Sequence, residues 1–167
     1  MDSMVLEMLA LSQLESGVKL NRQRHDINQI TTRTLARYQG EIDKKDIDVQ
    51  IVSSADCVID CDEKWIEKVV SNFLNNAVRH TPESGRIHIS ITHTSFGVYF
   101  HIENSGEHIP PEKIKHIWDA FYKADEARSQ SRGTGLGLSA VKTILTAHGF
   151  KYGVENTESG VAFWFTV

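Results

Sequence analysis

The stretch from Asp62 to His80 constrains this 167-residue chain more than any other part of it. Ile66, Val69, Val70, Phe73, Leu74 and Ala77 recur at helical spacing, so the stretch predicts a helix that must bury one stripe. Asp62 stands where a helix cap is expected. A second stripe, Asn72, Asn76 and Arg79 at i, i+4 and i+7, lies roughly a third of a turn from the first. Asn is a weak helix former, so the cluster Asn72, Asn75 and Asn76 is a poor choice for helix stability alone. An amide carbonyl is a hard oxygen ligand and suits Mg²⁺ that keeps waters and phosphate oxygens as its other ligands. A guanidinium adds a charge-assisted contact to phosphate. Read singly, Asn72 or Asn76 is more often part of a solvated polar face.

Two further stretches share this polar logic. Gly133-Thr134-Gly135-Leu136-Gly137-Leu138 opens a predicted helix over 135–148. Glycines let backbone N–H groups approach phosphates, and a helix N-terminus favours negative charge. The spacing is not the dinucleotide fingerprint, whose last glycine falls one residue later and which follows a strand directly. Nor is it a Walker loop, because Val141 rather than glycine precedes Lys142-Thr143. Asn104-Ser105-Gly106-Glu107-His108-Ile109-Pro110 lies between the two and reads as a turn. Alone, the glycines also fit tight turn packing, and the 104–110 stretch fits a plain turn.

The remaining elements follow from periodicity. Residues 4–15 predict a helix with Met4, Met8 and Leu11 on its apolar side, stopping at Ser16-Gly17. Residues 18–24 predict a strand, and Asp26 caps a helix running to about Lys44. Alternation predicts strands at 47–52 and 57–60, and a hairpin of 86–94 with 98–103 joined at Ser95-Phe96-Gly97. A short helix is predicted over 111–118, a polar aperiodic stretch over 122–132, and a closing hairpin of 150–155 with 161–167. Helices mixed with antiparallel strands predict an α/β two-layer sandwich of the α+β kind, not a doubly wound parallel sheet.

Composition excludes several classes. A net charge of −4 gives no basic footprint for nucleic acid. No run approaches ~20 apolar residues, so no membrane span is expected. Met1-Asp2-Ser3-Met4 lacks the basic start and cleavage site of a signal peptide. Cys57 and Cys61 are expected as reduced, partly buried thiols, since their spacing suits neither a comfortable disulfide nor a zinc site.

In order and spacing, the Asn72–His80, Asn104–Pro110 and Gly133–Leu138 stretches resemble the catalytic and ATP-binding domain of bacterial sensor histidine kinases. The resemblance implies the Bergerat ATP-binding fold, a mixed, mostly antiparallel sheet with three main helices on one face. It implies ATP and Mg²⁺ as cofactors, Asn76 as the metal ligand, Asn72 as its support, and Arg79 and His80 at the phosphates. Asn72, Asn76 and Arg79 are thereby the catalytic candidates. Asn104 takes the place of an aspartate that accepts from the adenine amino group, Gly106 is kept, and His108 replaces a glycine, with Ile109 beside them. Some Gram-positive kinases resemble this variant box. Losing a charged acceptor at Asn104 is expected to cost ~1 kcal/mol, or about fivefold to tenfold in affinity. Phe121, Tyr122 and Lys123 match the family's phenylalanine box, with Arg128 and Arg132 further along the lid and Gly133, Thr134, Gly135, Leu136, Gly137 and Leu138 at the phosphate tail. Thr157-Glu158-Ser159-Gly160 resembles a last, structural box.

Related gyrases, mismatch-repair ATPases and heat-shock chaperones carry Glu where Asn72 stands, as general base for water. An amide cannot accept a proton at neutral pH, so ATP hydrolysis is expected to be poor. The resemblance divides the chain into 1–16, the end of the second helix of a dimerisation domain, and 17–167, the catalytic domain. The box carrying a phosphoacceptor histidine is absent, and His25 lacks its surroundings. The implied partners are ATP and ADP, the dimerisation-phosphoacceptor domain of a homodimeric parent, and a response regulator, with no nucleic acid and no membrane contact by this stretch. The implied location is the cytoplasmic part of a membrane-bound sensor. Two alternatives stay open: a hydrolysing ATPase, and a docking module without nucleotide.

Overall fold

Alternating side chains build the central sheet. Along β4 (Arg86–Thr94) Ile87, Ile89 and Ile91 point inward, and along β5 (Gly97–Ser105) Val98, Phe100 and Ile102 do the same. The computed structural model describes residues 3–17, 19–120, 122 and 135–167. Its elements run α1 (Ser3–Glu15), β1 (Gln23–Asp26), α2 (Ile27–Leu35), a 3-10 turn (Ala36–Tyr38), α3 (Gln39–Lys44), β2 (Asp48–Ser53), β3 (Val58–Cys61) and α4 (Glu63–His80). After β4 and β5 come α5 (Pro111–Ile114), α6 (Gly137–His148), β6 (Lys151–Asn156) and β7 (Gly160–Thr166).

The five-stranded sheet has the order β2-β4-β5-β7-β6. Its pairs are antiparallel except β2 with β4, which is parallel. A separate two-stranded ribbon joins β1 to β3. Helices α2, α4 and α6 supply the second layer, so the expected two-layer α/β architecture holds. Phe73 on α4 sits between the sheet rings of Phe100 and Phe163, with centroids at 6.3 and 5.4 Å. Ile66, Val69, Val70 and Leu74 are fully buried beside it. Arg33 bridges Glu63 and Glu67 at 2.9 and 2.7 Å and joins α2 to α4.

Several local expectations are corrected. The helix expected from Asp26 to Lys44 is interrupted at Ala36–Tyr38, where the Tyr38 hydroxyl reaches the Ser71 backbone and hydroxyl oxygens at 3.0 and 2.8 Å. The strand expected at 18–24 begins at Gln23, because pairing with Cys61 starts there. The helix expected to reach Trp118 ends at Ile114. Asp62 holds the cap position of α4, but its carboxylate accepts from the Asn21 N–H at 3.0 Å and does not bond the helix. On α1, Leu11 of the expected stripe is buried together with Leu14, whereas Met8 is 43% exposed. Cys57 and Cys61 are reduced and fully buried.

Candidate active site

The rotation of α4 is set by its buried stripe, and this determines where its amides go. Asn72 and Asn76 are half-buried, and Arg79 and His80 are exposed in the last turn. Asn72 lies against the first residue of α6: a Cβ on Gly137 would stand 3.2 Å from the Asn72 amide oxygen. The Asn72 Nδ2 is buried and has no hydrogen-bond partner among the described residues. A buried donor left unmade costs about 1–3 kcal/mol, which is a reason to look for an acceptor that arrives from outside. The start of α6 is itself a place of unsatisfied backbone N–H groups and positive dipole. Oxygens of a phosphate chain fit this donor set.

The last turn of α4 is held from outside the helix. The Lys45 ammonium donates to the carbonyls of Val78, Arg79 and Thr81 at 2.8, 3.1 and 2.8 Å. A cation at a helix C-terminus meets the negative end of the dipole. The Thr81 hydroxyl returns to the Ala77 carbonyl at 2.6 Å. This fixes the His80 carbonyl, against which the next segment packs.

That segment is the turn after β5. Gly106 has φ +141°, and a Cβ there would come 2.9 Å from the His80 carbonyl oxygen, so both conformation and space require glycine. Asn104 is 4% exposed, and its Nδ2 donates to the Ser105 carbonyl at 3.1 Å. Its donor end is thus committed, and the oxygen is the end suited to receive an amino group. The Gly106 N–H donates to the Ser159 carbonyl at 3.2 Å. Ile109 is held at both backbone groups by Asn156, which accepts from its N–H at 2.9 Å and donates to its carbonyl at 2.8 Å. Among the described non-glycine residues only Asp46, Asp56 and Ser84 have positive φ, so His108 carries no left-handed strain.

Glu103, beside Asn104, anchors the β6–β7 turn. Its Oε1 accepts from the hydroxyls of Thr157 and Ser159, each at 2.6 Å. Burial pushes the Glu103 carboxyl up, but these two hydroxyls and His101 bring it below its ordinary value.

The structure therefore brings Asn72 to Gly137, and Gly106 to both Asn104 and the end of α4. Gly135 has φ +72°, Leu136 is buried at the cap of α6, and Leu138 packs against the core. The Tyr122 ring lies 5.7 Å from that of His116. Phe121, Lys123, Arg128, Arg132, Gly133 and Thr134 lie outside the described residues. Lys45 and Asn156 were not among the residues singled out in the sequence. Each acts on a segment more than thirty positions away, and no local pattern marks it. Among the described residues no group of three His, Cys, Asp or Glu is placed to hold a metal ion. A cation at this site would depend on the Asn76 amide together with oxygens of the ligand it bridges.

Comparison with known proteins agrees with this geometry. The model of the histidine kinase-, DNA gyrase B- and HSP90-like ATPases matches residues 61–167. The probable sensor kinase SilS of Salmonella typhimurium is 29% identical over 172 residues, covering 100% of this chain and 35% of SilS. The catalytic domain of the histidine kinase ThkA superposes with a TM-score of 0.80 at 30% identity, over 89% of this chain and 95% of that one. Full-length ShkA in complex with AMPPNP gives 0.83 at 26% identity, over 98% of this chain and 34% of ShkA. ThkA in complex with the response regulator protein TrrA gives 0.77 at 27% identity, over 98% and 47%. The chain spans roughly a third of the length of SilS. The chain belongs to the histidine kinase-, DNA gyrase B- and HSP90-like ATPases, as an ATP-binding catalytic domain of the sensor histidine kinase kind.

Proposed function

We propose that this chain binds ATP with Mg²⁺ and presents the γ-phosphoryl group to a histidine on a partner domain, as the catalytic part of a sensor histidine kinase. The observation that carries this reading is the buried Asn72 Nδ2, a donor with no hydrogen-bond partner among the described residues, on the amide whose oxygen faces Gly137 at the start of α6. Asn76 would hold Mg²⁺, which when bound neutralises charge on the transferring phosphoryl group. Asn72 and the first N–H groups of α6 would take phosphate oxygens, with Arg79 adding a cation. Asn104 would accept from the adenine amino group, in a turn that Gly106 and Ile109 shape. Catalysis would then be positioning and electrostatics. Asn72 cannot act as a base toward water, whereas a neutral imidazole needs no base to attack.

The domain division follows the same reading. Residues 1–16, including α1, belong with the dimerisation-phosphoacceptor domain, and 17–167 form the catalytic unit. The parent is proposed to be a homodimeric, membrane-bound sensor with this part in the cytoplasm, and the phosphohistidine is passed to a response regulator. Among the described residues no helix is long and apolar enough to cross a membrane.

The test is phosphotransfer from labelled ATP to a purified dimerisation-phosphoacceptor domain, comparing this chain with Asn76→Ala. Acid-labile label that depends on Asn76 is expected. Magnesium-independent binding, or steady release of free phosphate with no labelled acceptor, overturns the kinase reading.

A further inference from the structure

We propose that Asn156 is a positioning residue for the base-binding turn, so that the end of β6 sets how tightly an adenine nucleotide is held. The proposal rests on the reading of 104–110 as the base-side turn. Residues 107–110 belong to no strand or helix, so the backbone polar groups of this stretch need partners elsewhere. Ile109 finds both of its partners in one side chain: the Asn156 amide oxygen takes its N–H at 2.9 Å and the amide nitrogen meets its carbonyl at 2.8 Å. The pair imitates one rung of a β-ladder, made by an amide that lies 47 residues away in sequence. The other end of the turn is hung on the same segment, because the Gly106 N–H donates to the Ser159 carbonyl at 3.2 Å.

The turn is therefore carried by the β6–β7 segment at both ends, and Ser159 is itself tied through its hydroxyl to Glu103 on β5 at 2.6 Å. Asn104 is fixed in β5 by its pairing with Ile87 and Val161, so it is the Ile109 side of the turn, opposite Asn104, whose position depends on Asn156. The contacts at Asn72, Gly137 and Arg79 lie on α4 and α6 and do not pass through Asn156. Loss of Asn156 should loosen the base end and leave the phosphate end unchanged.

Two variants test this by calorimetry with ATP and ADP, each with and without Mg²⁺, beside thermal unfolding of the nucleotide-free chain. Asn156→Ala is expected to raise both dissociation constants by about tenfold and by the same factor, with the gain from Mg²⁺ unchanged. Asn156→Asp supplies a reversible switch. Its ionised carboxylate opposes the Ile109 carbonyl, whereas its protonated form has one donor and one acceptor like the native amide. Relative to the unaltered chain, its affinity should recover as pH is lowered from about 7.5 toward about 4, where an aspartate takes up its proton. A side chain that serves only general stability would lower the unfolding midpoint in Asn156→Ala and leave both dissociation constants unchanged.

Affinities within twofold of the unaltered chain for Asn156→Ala overturn the proposal. So does a loss confined to the magnesium-dependent part of binding, or an Asn156→Asp defect that pH does not relieve. If the unaltered chain shows magnesium-dependent binding and these variants match it, the positioning role falls and the proposed function stands. If the unaltered chain takes up no nucleotide, both fall together.

Discussion

Asn72 and Gly137 approach so closely that one added methyl group on the glycine would lie 3.2 Å from the amide oxygen. Gly137 has no positive φ, so alanine fits its backbone and is the better helix former at the first residue of α6. Gly137→Ala is expected to keep or raise the unfolding midpoint while pushing the Asn72 amide aside. ATP affinity should fall about fivefold to tenfold, the worth of one hydrogen bond. Calorimetry beside thermal unfolding separates the two effects, and parallel losses of both would contradict the assignment.

Asn104→Asp should divide stability from binding in the opposite sense. The carboxylate cannot replace the donation from Nδ2 to the Ser105 carbonyl and would set oxygen against oxygen. The nucleotide-free chain is expected to lose about 1–3 kcal/mol. The stabilisation that ATP adds should grow, because a charged acceptor meets the adenine amino group. Chemical denaturation at zero and saturating ATP measures both quantities.

Lys45 closes the end of α4 from a loop thirty-three residues upstream of Val78. Lys45→Met keeps the aliphatic stem and removes three donors from the carbonyls of Val78, Arg79 and Thr81. A loss of about 2 kcal/mol is expected. Hydrogen exchange should speed up at the amides of the last turn of α4 more than at its centre, since fraying starts at the uncapped end.

Both dual-stripe and alternating patterns were legible. Ile66, Val70 and Phe73 with Asn72 and Asn76 gave α4 and its polar face, and the alternating isoleucines gave the β4–β5 hairpin. What escaped depended on partners distant in sequence. The break at Ala36–Tyr38 coincides with a hydroxyl contact from Tyr38 to Ser71, and the parallel pairing of β2 with β4 has no local signature. Asp62 reads as a cap but spends its carboxylate on Asn21. Asn156 resembles any polar residue at a strand end until Ile109 is placed against it.

His148 gives the fold a pH dependence. Burial holds its imidazole below the ordinary value of 6.5, against the pull of the Ile144 carbonyl, with Arg22 also lowering it and Asp62 and Asp60 raising it. Nδ1 meets the Ile144 carbonyl at 2.7 Å and Nε2 accepts from the Asp62 N–H at 3.2 Å, so the neutral ring satisfies both. The unfolded chain takes up the proton more readily than the folded one. The stability from this group is thus present above pH 6.5 and is lost as pH falls from there through the folded value. His101, lowered chiefly by burial, acts in the same direction. Thermal unfolding between about pH 8 and about pH 5 should show the midpoint falling, with a shallower fall in His148→Gln.

Cys57 and Cys61 should be inert. Both are fully buried, and burial with the nearby Asp60 pushes the Cys61 thiol up to about 12. Thiol reagents at neutral pH should label neither until the chain unfolds, and rapid labelling of the native chain would contradict the packing.

Strand β7 lies inside the sheet between β5 and β6, although it is made after every other described strand. During synthesis β5 waits with an open edge until residues 160–166 emerge, and Asn156 on β6 has no strand partner until Val161 arrives. Ligand binding therefore ripens last, and a ribosome-stalled chain ending before Gly160 would offer an exposed strand edge to chaperones or to another nascent chain.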